Sequence, residues 1–234
     1  MTRASAESRL EQIARAGARC FAHLGYRRTR MAEVAKAAGL STGAVYSYVE
    51  SKEALLHLVL ASGLGLPAAD PTDLPLRAPD IAVTVEMVGR GLTRLGMTPL
   101  LKAAAAIDAP QDIRAELAAV VAEQYSTVER LRGVLSVIEA CAADLPPLEA
   151  LYFGRRRRGR IDLLSDYLQR RTASGHLRSL PDMAVAAQIV TETVAWFAWK
   201  RQESRDASRF DDDVARATVV EFICNALLPG QAVT

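Results

Sequence analysis

The chain is poor in the residues that build metal sites, disulfides and redox centres. Its three cysteines, Cys20, Cys141 and Cys224, are odd in number and widely spaced, and no C-x-x-C occurs. That pattern argues against a disulfide framework or a zinc site and suits a reducing cytoplasm. His23, His57 and His176 lie far apart, so no two of them share a helix face at metal-ligand spacing. No stretch of about 18 apolar residues exists to cross a membrane. Residues 1–20 carry Arg3, Glu7, Arg9, Glu11, Arg15 and Arg19 and lack the apolar core of a secretory leader. Phosphate loops are missing too. Gly63-Leu64-Gly65 has no third glycine, and the run from Gly154 to Arg160 has no Lys-Ser/Thr. These absences leave a cytoplasmic protein without metal or cofactor. With 50% apolar and 24% charged residues, it has the composition of a packed, water-soluble fold.

Charge is small in sum but uneven in place. Residues 1–56 hold nine basic and five acidic side chains, a net of +4, while the whole chain carries +2, so the remainder is at −2. A basic first quarter points toward a polyanion.

Helical spacing dominates throughout. Leu10, Ile13, Ala14, Gly17, Phe21 and Leu24 recur at steps of three and four, and Gly25 follows where a left-handed cap is wanted. Thr29 is placed to cap a short helix whose inner face is Met31, Val34, Ala35 and Ala38, with Gly39 ending it. Ser41 can cap a third helix with Val45 and Val49 facing inward, and Ser51 a fourth beginning at Lys52. The stretch 63–80, with Pro67, Pro71, Pro75 and Pro79, forbids an ordinary helix and reads as a connector. Beyond it, prolines at helix starts and Gly175 and Pro229-Gly230 at stops mark more helices. The expected fold class is all-α.

The string Gly39-Leu40-Ser41-Thr42-Gly43 matches the nucleophile elbow G-x-S-x-G. An elbow needs a strand before the serine. Here the preceding residues, Glu33 to Ala38, read as an Ala-rich helix, so the context is wrong for a hydrolase and the protein is read as a non-enzyme. A short helix, a tight turn and a second short helix instead spell a helix–turn–helix.

At this point residues 25–56 resemble the DNA-binding domain of TetR-family transcriptional regulators. The matching positions are Gly25, Tyr26, Thr29, Val34, Ala35, Ala38, Gly39, Leu40, Ser41, Gly43, Val45, Tyr46, Tyr48, Val49, Ser51, Lys52, Glu53 and Leu55. Arg30 and Glu33 depart from the residues most often found there. The resemblance implies a helix–turn–helix domain over residues 1–56, with a linking helix to about 64, and a helical effector-binding and dimerisation bundle over 57–234. It implies a recognition helix from Thr42 to Tyr48, with Thr42 and Ala44 toward base edges and Gly43 allowing close approach. Ser41 caps that helix. Tyr46, Ser47, Tyr48 and Lys52 are expected at phosphates or the groove edge, and Thr29 and Arg30 on the backbone opposite. Tyr48 can equally serve as core beside Val49. The recognition helix has no Arg, Asn or Gln for bidentate base reading, so phosphate contacts and DNA shape should carry much of the affinity.

The implied function is a ligand-responsive homodimeric repressor that binds a palindromic operator and is released by a small-molecule effector. An activator, or a regulator without a ligand, is equally compatible with the residues. The last two helices, about 182–200 and 212–228, are apolar on more than one side and are the expected self-association surface. Met87, Tyr125, Phe153 and Trp196 are candidates to line an effector pocket, or plain core. The run Arg155–Arg158 with Arg160 reads either as a solvated surface or as an anion site.

Overall fold

The computed structural model describes residues 3–67, 73–107, 109–204 and 209–230. It is all-α: an N-terminal helix–turn–helix segment is followed by a helical bundle, and no strand occurs among the described residues. The helices are α1 (Arg3–Arg28), α2 (Met31–Ala38), α3 (Thr42–Tyr46), α4 (Lys52–Gly63), α5 (Ile81–Leu95), α6 (Pro99–Ala106), α7 (Ile113–Ala142), α8 (Pro146–Glu149), α9 (Arg157–Ala173), α10 (Met183–Ala198) and α11 (Asp212–Leu227). A π-helical stretch, Ala150–Arg156, joins α8 to α9. Two compact units result, one of Met1–Leu95 with Gly133–Arg155, the other of Gly96–Arg132 with Arg156–Thr234.

In the first unit α1 packs on α2 and α4. Ile13, Ala16 and Phe21 of α1 are fully buried, as are Leu55 and Leu60 of α4. Gly17 lies at the α1–α4 crossing, where a Cβ would stand 2.8 Å from Val59 Cγ2 and 3.1 Å from Leu55 Cδ1. The small residue sets how closely the two helices approach. Gly25 breaks α1 at φ 75°, and a Cβ there would sit 2.9 Å from the Ala140 carbonyl. The helix resumes for its last turn, so Gly25 is a kink rather than a final cap. Arg27 then donates its N–H to Asp144 Oδ2 at 2.8 Å. Burial pushes the nearby Cys141 thiol up to about 12, so this cysteine is packing material and not a nucleophile at neutral pH.

The second unit is closed by two buried arginines. Arg171 of α9 pairs with Glu116 at 2.8 Å. It also donates to the carbonyls of Ala104 at 2.8 Å and Ile107 at 3.0 Å, at the end of α6. Tyr167 donates to the same Glu116 carboxylate at 3.0 Å. Arg201, wholly buried, donates to the Phe210 carbonyl at 2.8 Å and pairs with Asp212 at the start of α11. Burial alone would raise the Asp212 carboxyl, but the Arg201 guanidinium, Gln202 and Arg132 together hold the group below its usual range.

Replacing Arg171 by Leu leaves the Glu116 carboxylate with only Tyr167 of these two donors, and takes the guanidinium from two helix-end carbonyls. The variant should lose about 3–5 kcal/mol of stability, the range for breaking one side of a buried pair, read as a lower urea midpoint at unchanged m-value.

Candidate nucleic-acid interface

The helix–turn–helix is assembled from local caps. Gly39 adopts φ 66°, ψ 33°, and no atom would crowd a Cβ there, so the left-handed turn itself demands the glycine. Its N–H donates to the Lys36 carbonyl at 3.1 Å, and that of Leu40 to Ala35 at 2.9 Å, closing α2. Ser41 is extended, and its Oγ accepts from the Ala44 N–H at 3.1 Å. The serine of the elbow-like string is therefore the N-cap of α3. Val45 and Val49 are fully buried beneath it.

Helix α1 holds this motif from behind. Gln12 Nε2 donates to the Ala38 carbonyl at 2.6 Å, Arg19 to the Ala37 carbonyl at 3.0 Å, and Arg9 to Gln12 Oε1 at 2.8 Å. Two carbonyls that α2 leaves open at its C-terminal end thus find donors on α1.

The expected DNA-facing residues divide into two groups. Arg30, Ser41, Thr42, Gly43, Tyr46 and Ser47 are exposed, with Tyr46 at 44%, and Ala44 and Tyr48 are half-buried. The α-helical turns end at Tyr46, two residues short of the expected Tyr48, and the Ser47 hydroxyl donates back to the Gly43 carbonyl at 3.2 Å. Thr29 is buried, and Lys52 is half-buried. Thr29 is only 1% exposed. Its hydroxyl donates to the Gly25 carbonyl at 2.7 Å, so it neither caps α2 nor offers a free hydroxyl to a phosphate. The N-cap is Arg30, whose N–H donates to Glu33 Oε2 at 2.9 Å. Lys52 Nζ donates to the carbonyls of Arg27 and Thr29, both at 3.3 Å, and lies 4.6 Å from the Tyr26 ring centre. It ties the α1–α2 corner to the start of α4. Tyr26 donates to Glu53 Oε1 at 2.6 Å. That bond holds the Glu53 carboxyl below its ordinary value, while burial and then the same bond push the Tyr26 phenol up.

The four pocket candidates are divided between the two units. Met87 is buried on α5 and Phe153, 36% exposed, lies on the π-helical stretch, both in the first unit. Tyr125, buried on α7 beside the Arg216 guanidinium, and Trp196, 41% exposed on α10, belong to the second. The first unit holds a groove of about 340 Å³, lined by Leu10, Ala14, Leu58, Leu66 and Leu76 with Glu7 at its edge, which sequence reading missed. In the arginine run, Arg157 pairs with Glu192 of α10, while the side chains of Arg155 and Arg156 lie outside the described residues. On α10, Val185, Ile189 and Trp196 form an exposed stripe, and on α11 Val214 and Phe222 are exposed. Trp199 does not join them. It is buried, and its indole N–H donates to Glu203 at 2.9 Å. Among the described residues no cluster of His, Cys, Asp and Glu could hold a metal ion, and no helix is long and apolar enough to cross a membrane.

A basic, all-helical chain with this turn has the architecture of DNA-binding regulators. Residues 13–59 match the sequence model described as bacterial regulatory proteins, tetR family. No curated protein matches the chain. Among solved structures, the ketosteroid transcriptional regulator KstR2 of Mycobacterium tuberculosis aligns with TM-score 0.57 at 13% identity, over 95% of this chain and 96% of that one. A tetR-family regulatory protein from Rhodococcus RHA1 aligns with TM-score 0.53 at 18% identity, over 95% and 98%. AibR, solved with isovaleryl coenzyme A and operator DNA, aligns with TM-score 0.52 at 19% identity, over 92% and 97%. At these identities the likeness is one of fold. The chain has the fold of TetR-family transcriptional regulators, and its helix–turn–helix carries that family's sequence.

Ser41→Ala removes the α3 cap and should cost about 1 kcal/mol of stability, within the range for N-cap loss, read by chemical denaturation.

Proposed function

We propose that this protein is a ligand-responsive, homodimeric transcriptional repressor that binds a palindromic operator. The observation that carries the reading is the exposed face of α3, with Thr42, Gly43, Tyr46 and Ser47 presented outward on a turn clamped by Gly39, Ser41 and Gln12. Arg27, Arg28 and Arg30 are exposed in the same unit, which supports backbone contacts on phosphates. Thr42 supplies a hydroxyl and a methyl, and Ala44 a methyl, for base edges. Thr29 and Lys52 act by fixing the corner that carries Arg30.

Two copies pairing through the exposed stripes of α10 and α11 would present two such faces, which requires an operator with two-fold symmetry. The effector binds the DNA-incompetent state more tightly and so releases the operator. By reciprocity, operator DNA weakens effector binding by the same factor. AibR, a fold relative, was solved with both an acyl-coenzyme A and operator DNA, which supports a small-molecule effector here.

Selection of genomic fragments by the purified protein, sequenced at two salt concentrations, should recover a palindromic site. Its log affinity should fall with log salt at a slope of about 0.9 per phosphate neutralised. Failure to enrich any site, with or without small-molecule extracts, would defeat the reading. Phe222→Glu places a charge on the exposed α11 face. It should turn a dimer into a monomer in analytical ultracentrifugation and remove operator binding while leaving helix content unchanged. A variant that stays dimeric would exclude this face.

A further inference from the structure

The connector between α4 and α5 is long for a loop inside a compact unit, and loops of that length commonly carry a role. Its second half is not free chain. Leu76 N–H donates to the Tyr48 carbonyl at 2.8 Å, and Glu50 N–H donates to the Leu76 carbonyl at 3.1 Å. Those two bonds form a parallel bridge between Val49 and Leu76. The Glu50 carboxylate then accepts from the Ala78 N–H at 3.0 Å. The Leu76 side chain is buried, as is Val49. The residues gripped by the connector are thus the ones that follow α3 directly.

A five-residue helix has no stability of its own. Its N-terminal end is fixed by Ser41 and Gly39 and its middle by buried Val45. Its C-terminal end passes into Ser47–Glu50, where no further helix continues until Lys52. The three connector bonds secure that end. Asp80 caps α5, accepting from the Ala82 N–H at 2.7 Å. Only residues 77–80 therefore separate the bridge from α5, and within them Ala78 is itself held and Pro79 has a fixed φ.

We infer that residues 76–80 of the connector are a working part of the DNA-reading head, with Leu76 and Glu50 as positioning residues that set the pose of α3 and couple it to the start of α5. The inference rests on the DNA-binding reading for its consequence but not for its geometry. A rotation of α5 would reach the recognition helix through four residues of connector, a route separate from the covalent path through α4.

The test uses the full-length chain and the variants Leu76→Ala, Glu50→Ala and Glu50→Gln. Gln keeps a carbonyl to accept from Ala78 and removes only the charge. Amide hydrogen exchange of the free protein should show Tyr48, Val49 and Glu50 exchanging faster in Leu76→Ala and Glu50→Ala, while the α4 core amides of Val59–Ala61 keep their wild-type rates. Equal acceleration of both sets would reduce the contact to general stability and overturn the inference. On a selected operator, Glu50→Ala should lower the ratio of operator to random-duplex affinity about tenfold, the scale of losing one or two hydrogen bonds. Glu50→Gln should restore it. If Gln behaves as Ala does, Glu50 acts by charge on the DNA and the positioning role fails. If the wild-type protein selects no operator, the regulator reading fails, and the exchange data alone decide the connector's role.

Discussion

The structure depends on holding a helix too short to hold itself. α3 has five residues, fewer than isolated helices need to persist in water. Every feature of the first unit bears on that constraint. Ser41 and Gly39 fix where α3 begins, and the fully buried Val45 and Val49 anchor its underside. Gln12 and Arg19 hold α2 from behind. Leu76 holds the far end. A reading helix whose position is dictated wholly by its surroundings can be displaced by a change in any of them. In the proposed regulator that property suits a switch, because a modest shift at a support changes the pose of the exposed α3 residues.

The second unit solves a different problem with a related device. Its helices are rich in alanine and valine and leave helix ends to be satisfied inside the fold. Arg171 reaches the final carbonyls of α6, and Arg201 reaches the chain just before α11. Each guanidinium has several donors in one plane, so a single side chain answers two carbonyls and a carboxylate. The carboxylates of Glu116 and Asp212 offset the buried charge. Such pairs add little net stability compared with an apolar substitute. What they do fix is which helix end lies against which helix.

Legibility in the sequence followed the range of each interaction. The turn at Gly39, the caps at Ser41 and Ser51 and the inward valines are local, so spacing and residue type revealed them, and the family resemblance found the same residues. The intramolecular partners of Thr29 and Lys52 were not legible, because they are carbonyls of the α1–α2 corner, which no spacing rule shows. The connector was recognised by its prolines, but its bridge to Val49 pairs residues far apart in the chain. Arg171 did carry a signal: Leu164, Tyr167 and Leu168 form a buried stripe on α9, and Arg171 continues it at a step of three. A charged residue on an apolar stripe announces a buried pair. Arg201 sits in a short 3-10 turn after α10 and gave no such sign.

The arginine run reaches the exposed apolar stripe of α10. Val185, Ile189 and Trp196 lie on one stripe, and Glu192 falls between Ile189 and Trp196 on the same side of the helix. Glu192 is not a bare charge there, since Arg157 pairs with it and Gln188 donates to it at 2.6 Å. In the proposed dimer this places a satisfied polar group inside an apolar contact. A uniform apolar stripe tolerates sliding by a helical turn, whereas a polar group that must keep its partners disfavours every register but one. Register matters more here than affinity. In such a dimer a slip of one turn, 5.4 Å along a helix, would press that polar group against apolar side chains of the second copy. Arg157 and Gln188 thus keep the Glu192 carboxylate partnered on the exposed face of α10, and in the proposed dimer that pairing is what would discriminate between registers.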